Sequence, residues 1–197
     1  RIELDLTHMF TFGLQGSTYV NMDGETVNTQ TGDALAIFSN SHTITGASTT
    51  VDNLNGTLPF NRTNLEAAER LFRNMINMNS VKVTPKPDTI ITSDDPAVEN
   101  VVKEFMRSVD APDTAERSTN VYKGKYNHIS LPYLATDLNG APSATGRYYW
   151  MLADLSKKDA ICEFSEMPNF TMGGPGNNGE DFDTDDWKAK SAASYAY

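Results

Sequence analysis

The order helix, strand, helix in the middle of the chain constrains the fold more than any other feature of the sequence. Thr63-Asn-Leu-Glu66 fits a capping box, in which the threonine hydroxyl can accept the amide hydrogen of Glu66. Behind it, apolar residues recur at helical spacing, with Glu69, Arg70 and Arg73 largely on other faces. A helix is therefore predicted over residues 63–78. Its apolar face comprises Leu65, Ala68, Phe72, Met75 and Ile76.

A second helix is predicted to begin after Asp95, which can cap it. Pro96 then occupies the first helical position, where a missing amide hydrogen costs nothing. Its apolar stripe comprises Ala97, Val98, Val101, Val102, Phe105 and Met106. Between the two helices, Thr89-Ile-Ile-Thr92 predicts a short buried strand. This middle segment is α/β-like, while the sequence on either side indicates strands and loops, so an α+β chain is expected.

Strands are predicted on both sides of that segment. Ile2, Leu4 and Leu6 alternate with polar residues, which predicts a half-buried strand over residues 2–6, extended by residues 10–12. Residues 148–153 are the densest apolar run and predict a strand buried on both faces. Further strands are predicted over residues 35–38, 81–83, 120–134, 160–164 and 187–197. Long polar loops are expected at residues 13–31, 43–61 and 136–147.

Composition narrows the classes of function. The chain has 197 residues, enough for one large domain or two small ones, and one cysteine, Cys162, so it has no internal disulfide and no cysteine-based zinc site. No apolar run approaches the roughly 18 residues of a membrane helix. The net charge is −10, and residues 2–61 contain no Lys or Arg. Because phosphate binding depends on clustered cations, direct nucleic-acid recognition is not expected.

The sequence holds no recognisable catalytic set. The three histidines lie in separate segments without zinc-ligand spacing, and no serine elbow or phosphate-binding loop is present. Asp181-x-Asp183-x-Asp185 resembles the opening of a calcium loop, but Asp186 and Ala192 replace its required Gly and Glu. We therefore expect no catalytic, cofactor-binding or metal-binding residues and no enzymatic activity, and we expect Cys162 to act as a small buried hydrophobe.

Four segments, in this order, resemble the motifs of one protein family. Residues 33–42 are similar to D-G-x-x-L-F-S-x-x-H, with Ala34 in place of the glycine. Pro87-Asp-Thr-Ile-Ile91 is similar to P-x-T-I-I, inside the helix, strand, helix succession. Residues 120–134 resemble N-V-Y-x-G-x-x-x-x-x-x-P-Y-L, and residues 149–154 resemble x-W-x-L-A-D. Over roughly residues 15–197, the chain is similar to major capsid proteins of tailed bacteriophages, of the Mu-like head-subunit type with the Hong Kong 97 fold.

This resemblance implies an α+β chain in which a mixed α/β axial domain, residues 59–155, is inserted in a β-rich peripheral domain, residues 1–58 and 156–197. It implies a structural subunit that assembles in the bacterial host cytoplasm into hexamers and pentamers of an icosahedral virion head. The shell would enclose double-stranded DNA without sequence-specific binding. Scaffold, portal and decoration proteins would be further partners, and no membrane or cofactor is implied. An N-terminal arm, an extended loop and a spine helix are expected upstream of residue 1.

Three other classes of function stay open at this point. A shell protein of a capsid-derived nanocompartment would share the same fold. A β-rich phage or bacterial adhesin or tail binding module would suit the exposed Thr, Asn and Gly, although two amphipathic helices argue against it. An enzyme is the third, and no convergent catalytic groups favour it. The long polar loops hold few apolar residues, so we expect neighbouring subunits to order one or more of them.

Overall fold

The computed structural model describes residues 2–43, 50–56, 58–77, 79–110, 118–156, 163–173 and 188–196, with side chains described up to residue 156. The chain divides into two units, Arg1–Ser156 and Lys157–Tyr197. The described helices are α1 (Ile2–Thr11), α2 (Arg62–Asn74) and α3 (Pro96–Arg107). The strands are β1 (Thr18–Val20), β2 (Thr26–Asn28), β3 (His42–Thr43), β4 (Thr50–Val51), β5 (Thr89–Ser93), β6 (Asn127–Leu131), β7 (Trp150–Ala153), β8 (Glu163–Gly173) and β9 (Lys188–Ala196). This mixed content with small sheets is compatible with the expected α+β class.

The middle of the first unit is a three-stranded sheet with the order β6-β5-β7. The central strand β5 runs parallel to β6, pairing Ile91 with Ile129, and antiparallel to β7, pairing Ile91 with Met151. Ile90 and Thr92 are fully buried, as expected for a strand with neighbours on both sides. The prediction of a short buried strand here is confirmed.

Helices α2 and α3 supply the main core beside this sheet. Leu65 from α2 packs with Val102 and Phe105 from α3 and with Ile90 from β5. Aromatic side chains complete the cluster: Phe60, Tyr122 and Tyr126. The Phe60 ring meets the Phe105 and Trp150 rings edge to face, with centroids 5.7 and 5.2 Å apart. Such edge contacts align a positive ring edge with a negative face.

Both predicted central helices are confirmed, but α2 ends at Asn74 rather than at the predicted residue 78, and its cap is corrected. Asp95 accepts the amide hydrogen of Ala97 at 2.9 Å, and Pro96 opens α3 as predicted. The cap of α2, however, is Asn61, whose side chain accepts from the Asn64 amide at 2.8 Å. The predicted capping box at Thr63 is therefore wrong by two residues, because a better acceptor precedes it.

Residues 2–11 form helix α1, so the strand predicted over residues 2–6 and its extension over 10–12 are wrong. The buried face of α1 follows helical spacing but is partly polar, and it includes Leu4, Asp5, His8, Met9 and Thr11. Asp5 accepts a hydrogen bond from the Tyr19 hydroxyl at 2.6 Å, and the His8 ring is 2.9 Å from the Tyr133 carbonyl oxygen. These distant partners make polar positions internal, which the alternation of apolar residues does not reveal.

Other strand predictions need smaller corrections. Residues 35–38 form bends with one isolated bridge, Gln30 to Ala36, and residues 81–83 form one isolated bridge, Ile76 to Lys82. Neither segment is a strand. Within 120–134 only β6 is strand, and residues 132–135 form a 3-10 turn. Strand β7 shortens the 148–153 prediction and is half-buried rather than buried on both faces. It lies at an edge of the sheet, which explains its exposure.

The second unit contains an antiparallel pair of strands. β8 pairs with β9 from Glu163↔Ala196 to Gly173↔Lys188, with two register irregularities near Glu166. The predicted last strand over residues 187–197 is thus confirmed for residues 188–196, and 163–164 of the predicted 160–164 are strand. Cys162 and the acidic residues 181–186 lie outside the described residues. None of the described helices is long and apolar enough to cross a membrane.

Candidate functional site

The segment singled out by the first motif, residues 33–42, is closed by a bond between its two ends. His42 Nδ1 lies 2.9 Å from Asp33 Oδ2. His42 Nε2 lies 2.8 Å from the carbonyl oxygen of Ile37. Asp33 also accepts from the Thr31 hydroxyl and, at 3.3 Å each, from the amides of Leu35 and Thr43. The carboxylate therefore joins the start of the segment to the beginning of β3.

Asn53 holds the same segment from the far side of the β3–β4 hairpin. Its side-chain amide donates to the Ile37 carbonyl at 2.7 Å, and its side-chain oxygen accepts from the Ser39 amide at 2.8 Å. The backbone N–H of Asn53 also donates to the Ser39 carbonyl oxygen at 3.1 Å. These bonds give a chain with few apolar anchors a defined course, because they satisfy backbone groups that strands would otherwise pair.

Ala34 occupies the left-handed backbone region, with φ of 61°. Non-glycine residues there crowd their Cβ against the backbone, while glycine does not. The motif that residues 33–42 resemble has glycine at this position. The backbone geometry thus gives a physical reason for a glycine at the second position of such a segment.

Replacing Ala34 with glycine should raise the free energy of unfolding by about 0.5–1 kcal/mol, because relief of the strained φ outweighs the added chain entropy. Ala36→Gly is the matched control, since Ala36 is not among the residues with positive φ. That variant should be destabilised by about 0.4–1 kcal/mol, the usual entropic cost of glycine. Urea unfolding of the three proteins measures both effects. Equal destabilisation by both glycines would contradict the strain at Ala34.

The other motif segments meet in the central sheet. Pro87-Asp-Thr-Ile-Ile91 leads into β5, residues 127–131 form β6, and Trp150 to Ala153 form β7. The aspartates at the strand ends tie the connections together. Asp88 Oδ1 accepts from the Leu155 amide at 3.1 Å, and Asp154 Oδ2 accepts from the Lys86 amide at 3.2 Å. Segments that are far apart in the sequence therefore form one structural unit.

A second polar cluster joins α2 to the turn before β6. Glu69 Oε1 accepts from Lys125 Nζ at 2.6 Å and from the Tyr126 hydroxyl, and Glu69 Oε2 lies 3.5 Å from Arg73 Nη2. Lys125 Nζ also lies 4.9 Å from the centre of the Tyr122 ring, within cation–π range. Sequence reasoning placed Glu69 away from the apolar face, but this residue is buried beside Leu65 and Ala68.

The lowered pKa of Glu69 keeps its carboxylate charged and paired with Lys125. Burial alone would raise the pKa of Glu69, but hydrogen bonds from Lys125 and Tyr126, with their charges, hold that pKa below its usual value. Burial and the hydrogen bond to Glu69 raise the pKa of Tyr126. A carboxylate that is already saturated with donors is a weak base, so this arrangement is suited to fastening two elements together.

The histidines lie apart and each contacts a structural partner. The Thr92 hydroxyl donates to the Ser93 carbonyl at 2.8 Å, so His128 Nε2, 2.9 Å away, must donate to Thr92. His8 contacts Tyr133 and His42 contacts Asp33, as above. Within the described ranges, no group of three or more His, Cys, Asp or Glu side chains is placed to hold a metal ion.

The described surface carries isolated large apolar side chains that could meet other molecules. Val109 and Val121, 63% and 67% exposed, are brought close by the Asn120 amide, which donates to the Val109 carbonyl at 3.0 Å. Val81, 58% exposed, lies in the turn that follows α2. Single exposed apolar residues are common, and their positions alone assign no partner.

Comparison with protein-family models, with curated proteins and with solved structures finds no match to this chain.

Proposed function

We propose that this chain is the major head subunit of a tailed bacteriophage, with the Hong Kong 97 fold, and that it assembles into the hexamers and pentamers of an icosahedral DNA-containing capsid. The observation that carries the proposal is the order of the four motif segments along the sequence. In this proposal the function of the subunit depends on its shape and on its contacts with copies of itself. No chemical step is required of it.

Two structural details support the proposal. Ala34 has the backbone conformation that suits glycine, the residue expected there by the motif it resembles. The three later motifs supply β5, β6 and β7 of one sheet, although they come from separate parts of the chain.

Charge and loop composition are also consistent with a container for DNA. The net charge of −10 disfavours tight adhesion of a packaged polyanion to the shell. The polar segments 13–31 and 43–61, which contain β1, β2 and β4, hold few apolar residues, and Tyr19 and Phe60 are buried among them. Copies related by rotation meet through heterologous contacts that close into rings, and such contacts can order loops of this kind. The proposed axial part is residues 59–155, and the proposed peripheral parts are residues 1–58 and 156–197.

The direct test is electron microscopy of particles. The complete reading frame that encodes this chain is expressed in bacteria, and the soluble product is purified by size and imaged in negative stain. We expect closed or partly closed particles of uniform diameter with fivefold and sixfold clusters. Leu65→Asp is the matched control, because an aspartate at this fully buried position disrupts the core and should abolish the particles. A folded product that remains monomeric at high concentration, with scaffold protein supplied, would refute the proposal.

The same particles separate the proposal from its alternatives. Nuclease-resistant DNA inside particles recovered from phage-producing cells identifies a virus head, whereas a uniform protein cargo identifies a nanocompartment. Binding of the isolated folded chain to glycans, without particle formation, would identify an adhesin or tail module instead.

A further inference from the structure

We propose that Asp33 and His42 form a proton-controlled clasp on residues 31–43, closed while His42 is an imidazolium and loosened when His42 loses a proton. The inference concerns the isolated chain and does not depend on assembly. It rests on the hydrogen-bond partners of both ring nitrogens.

The contacts of His42 define its protonation state. Its Nδ1 faces a carboxylate oxygen of Asp33 at 2.9 Å, and its Nε2 faces the Ile37 carbonyl oxygen at 2.8 Å. Both partners only accept hydrogen bonds, so both ring nitrogens must donate. A neutral imidazole carries one N–H, and it would therefore leave one acceptor pointing at another. The closed geometry requires the cation.

The charged surroundings of His42 are simple. Among the described residues, Asp33 is the charged group that shifts the pKa of His42. Ile37 contributes only a carbonyl oxygen, and Asn53, which holds the same segment, is uncharged. Residues 44–49, which follow in the sequence, contain no ionisable side chain. One ion pair therefore controls the response to pH.

The direction of that response follows from both groups. Burial lowers the pKa of His42, but the hydrogen bonds to Asp33 and Ile37 outweigh it, so the pKa lies above the usual 6.5. Hydrogen bonds from Thr31 and His42 hold the pKa of Asp33 below its usual 3.8. The histidine contribution is complete below pH 6.5 and is lost as pH rises through its raised pKa. The aspartate contribution is complete above pH 3.8 and is lost as pH falls through its lowered pKa.

Loosening would be local and would affect the base of the β3–β4 hairpin. Deprotonation removes the donor to Ile37 or to Asp33, while Asn53 keeps its own bonds to Ile37 and Ser39. The amides of Leu35 and Thr43, which donate to Asp33, report on the closed state. The clasp thus sets how firmly the segment before the hairpin is held at a given pH.

The test combines hydrogen exchange with NMR titration of the whole chain. Exchange of residues 35–43, corrected for the intrinsic rate, should accelerate about tenfold to a hundredfold between pH 5.5 and pH 9, as expected for loss of one charge-assisted bond. His42→Gln should exchange fast at both pH values. His128→Gln, a control histidine in the central sheet, should keep the wild-type dependence.

NMR of the wild-type protein keeps the inference testable if a variant fails to fold. The His42 ring should titrate above pH 6.5, with both nitrogens protonated in the closed form, and Asp33→Asn should lower that midpoint. A midpoint at or below 6.5, or exchange of residues 35–43 that is equal at pH 5.5 and pH 9, would overturn the clasp.

Discussion

Replacement of Phe105 by alanine is expected to lower the free energy of unfolding by about 3–5 kcal/mol. Phe105 is 3% exposed, and its ring contacts Phe60 at a centroid distance of 5.7 Å and Tyr122 at 5.2 Å. Truncation removes these contacts and leaves a cavity between α3 and the aromatic cluster, which the surrounding helices can fill only in part. The measurement is urea unfolding followed by tryptophan fluorescence, because Trp150 packs on Phe60 in the same cluster.

Val101→Ala is the matched control on the same helix. Val101 is 44% exposed, so its truncation should cost no more than about 0.5 kcal/mol. Since a typical domain is stable by only about 5–15 kcal/mol, Phe105→Ala could be largely unfolded. Phe105→Leu, which keeps most of the volume, should then be folded with an intermediate loss. Similar losses for Phe105→Ala and Val101→Ala would mean that the aromatic cluster does not form the core.

Local signals explain which elements the sequence predicts well. Asp95 and Pro96 act on neighbouring backbone groups, so the start of α3 can be predicted from the sequence without any tertiary information. The apolar stripe of α3 and the run Thr89-Ile-Ile-Thr92 likewise report burial directly. The end of α2 is harder to predict from the sequence. The apolar pattern continues to Ile76, but the helix ends at Asn74, and the residues that follow it turn back and hydrogen-bond to one another.

Long-range polar contacts explain what the sequence does not predict. The buried face of α1 includes Asp5 and His8, which are internal only because Tyr19 and Tyr133 supply partners from other segments. Because this face is partly polar, the positions of apolar residues alone do not reveal it. The alternation of Ile2, Leu4 and Leu6 with polar residues therefore predicts a strand where the structure has a helix. The clasp is similar, since Asp33 and His42 are visible as a motif while their bond depends on the turn at Ala34. For Glu69, its spacing from Leu65 was a usable signal, because residues one helical turn apart share a face.

Loss of the Glu69 carboxylate is the second large effect expected in this protein. Glu69→Ala should lower the free energy of unfolding by about 2–4 kcal/mol. The buried Tyr126 hydroxyl loses its hydrogen-bond acceptor, and Lys125 loses its ion-pair partner. Tyr126 is only 5% exposed, so water cannot readily replace the lost acceptor. Glu69→Gln, which keeps an acceptor oxygen without the charge, should lose about half as much. Chemical unfolding at pH 7 provides the comparison.

Arg70→Ala separates this effect from helix propensity and surface charge. Arg70 follows Glu69 on α2, and its side chain is exposed. Truncation of an exposed side chain costs little, so the expected loss is no more than about 0.5 kcal/mol. The pH dependence gives a second criterion. Because the pKa of Glu69 is lowered from 4.5, its stabilisation is complete above that pH and is lost as pH falls through the lowered value. The gap in unfolding free energy between wild type and Glu69→Ala should therefore narrow as the pH falls through that lowered pKa. A gap that stays constant throughout the acid titration would show that packing, and not the carboxylate, joins α2 to the turn before β6.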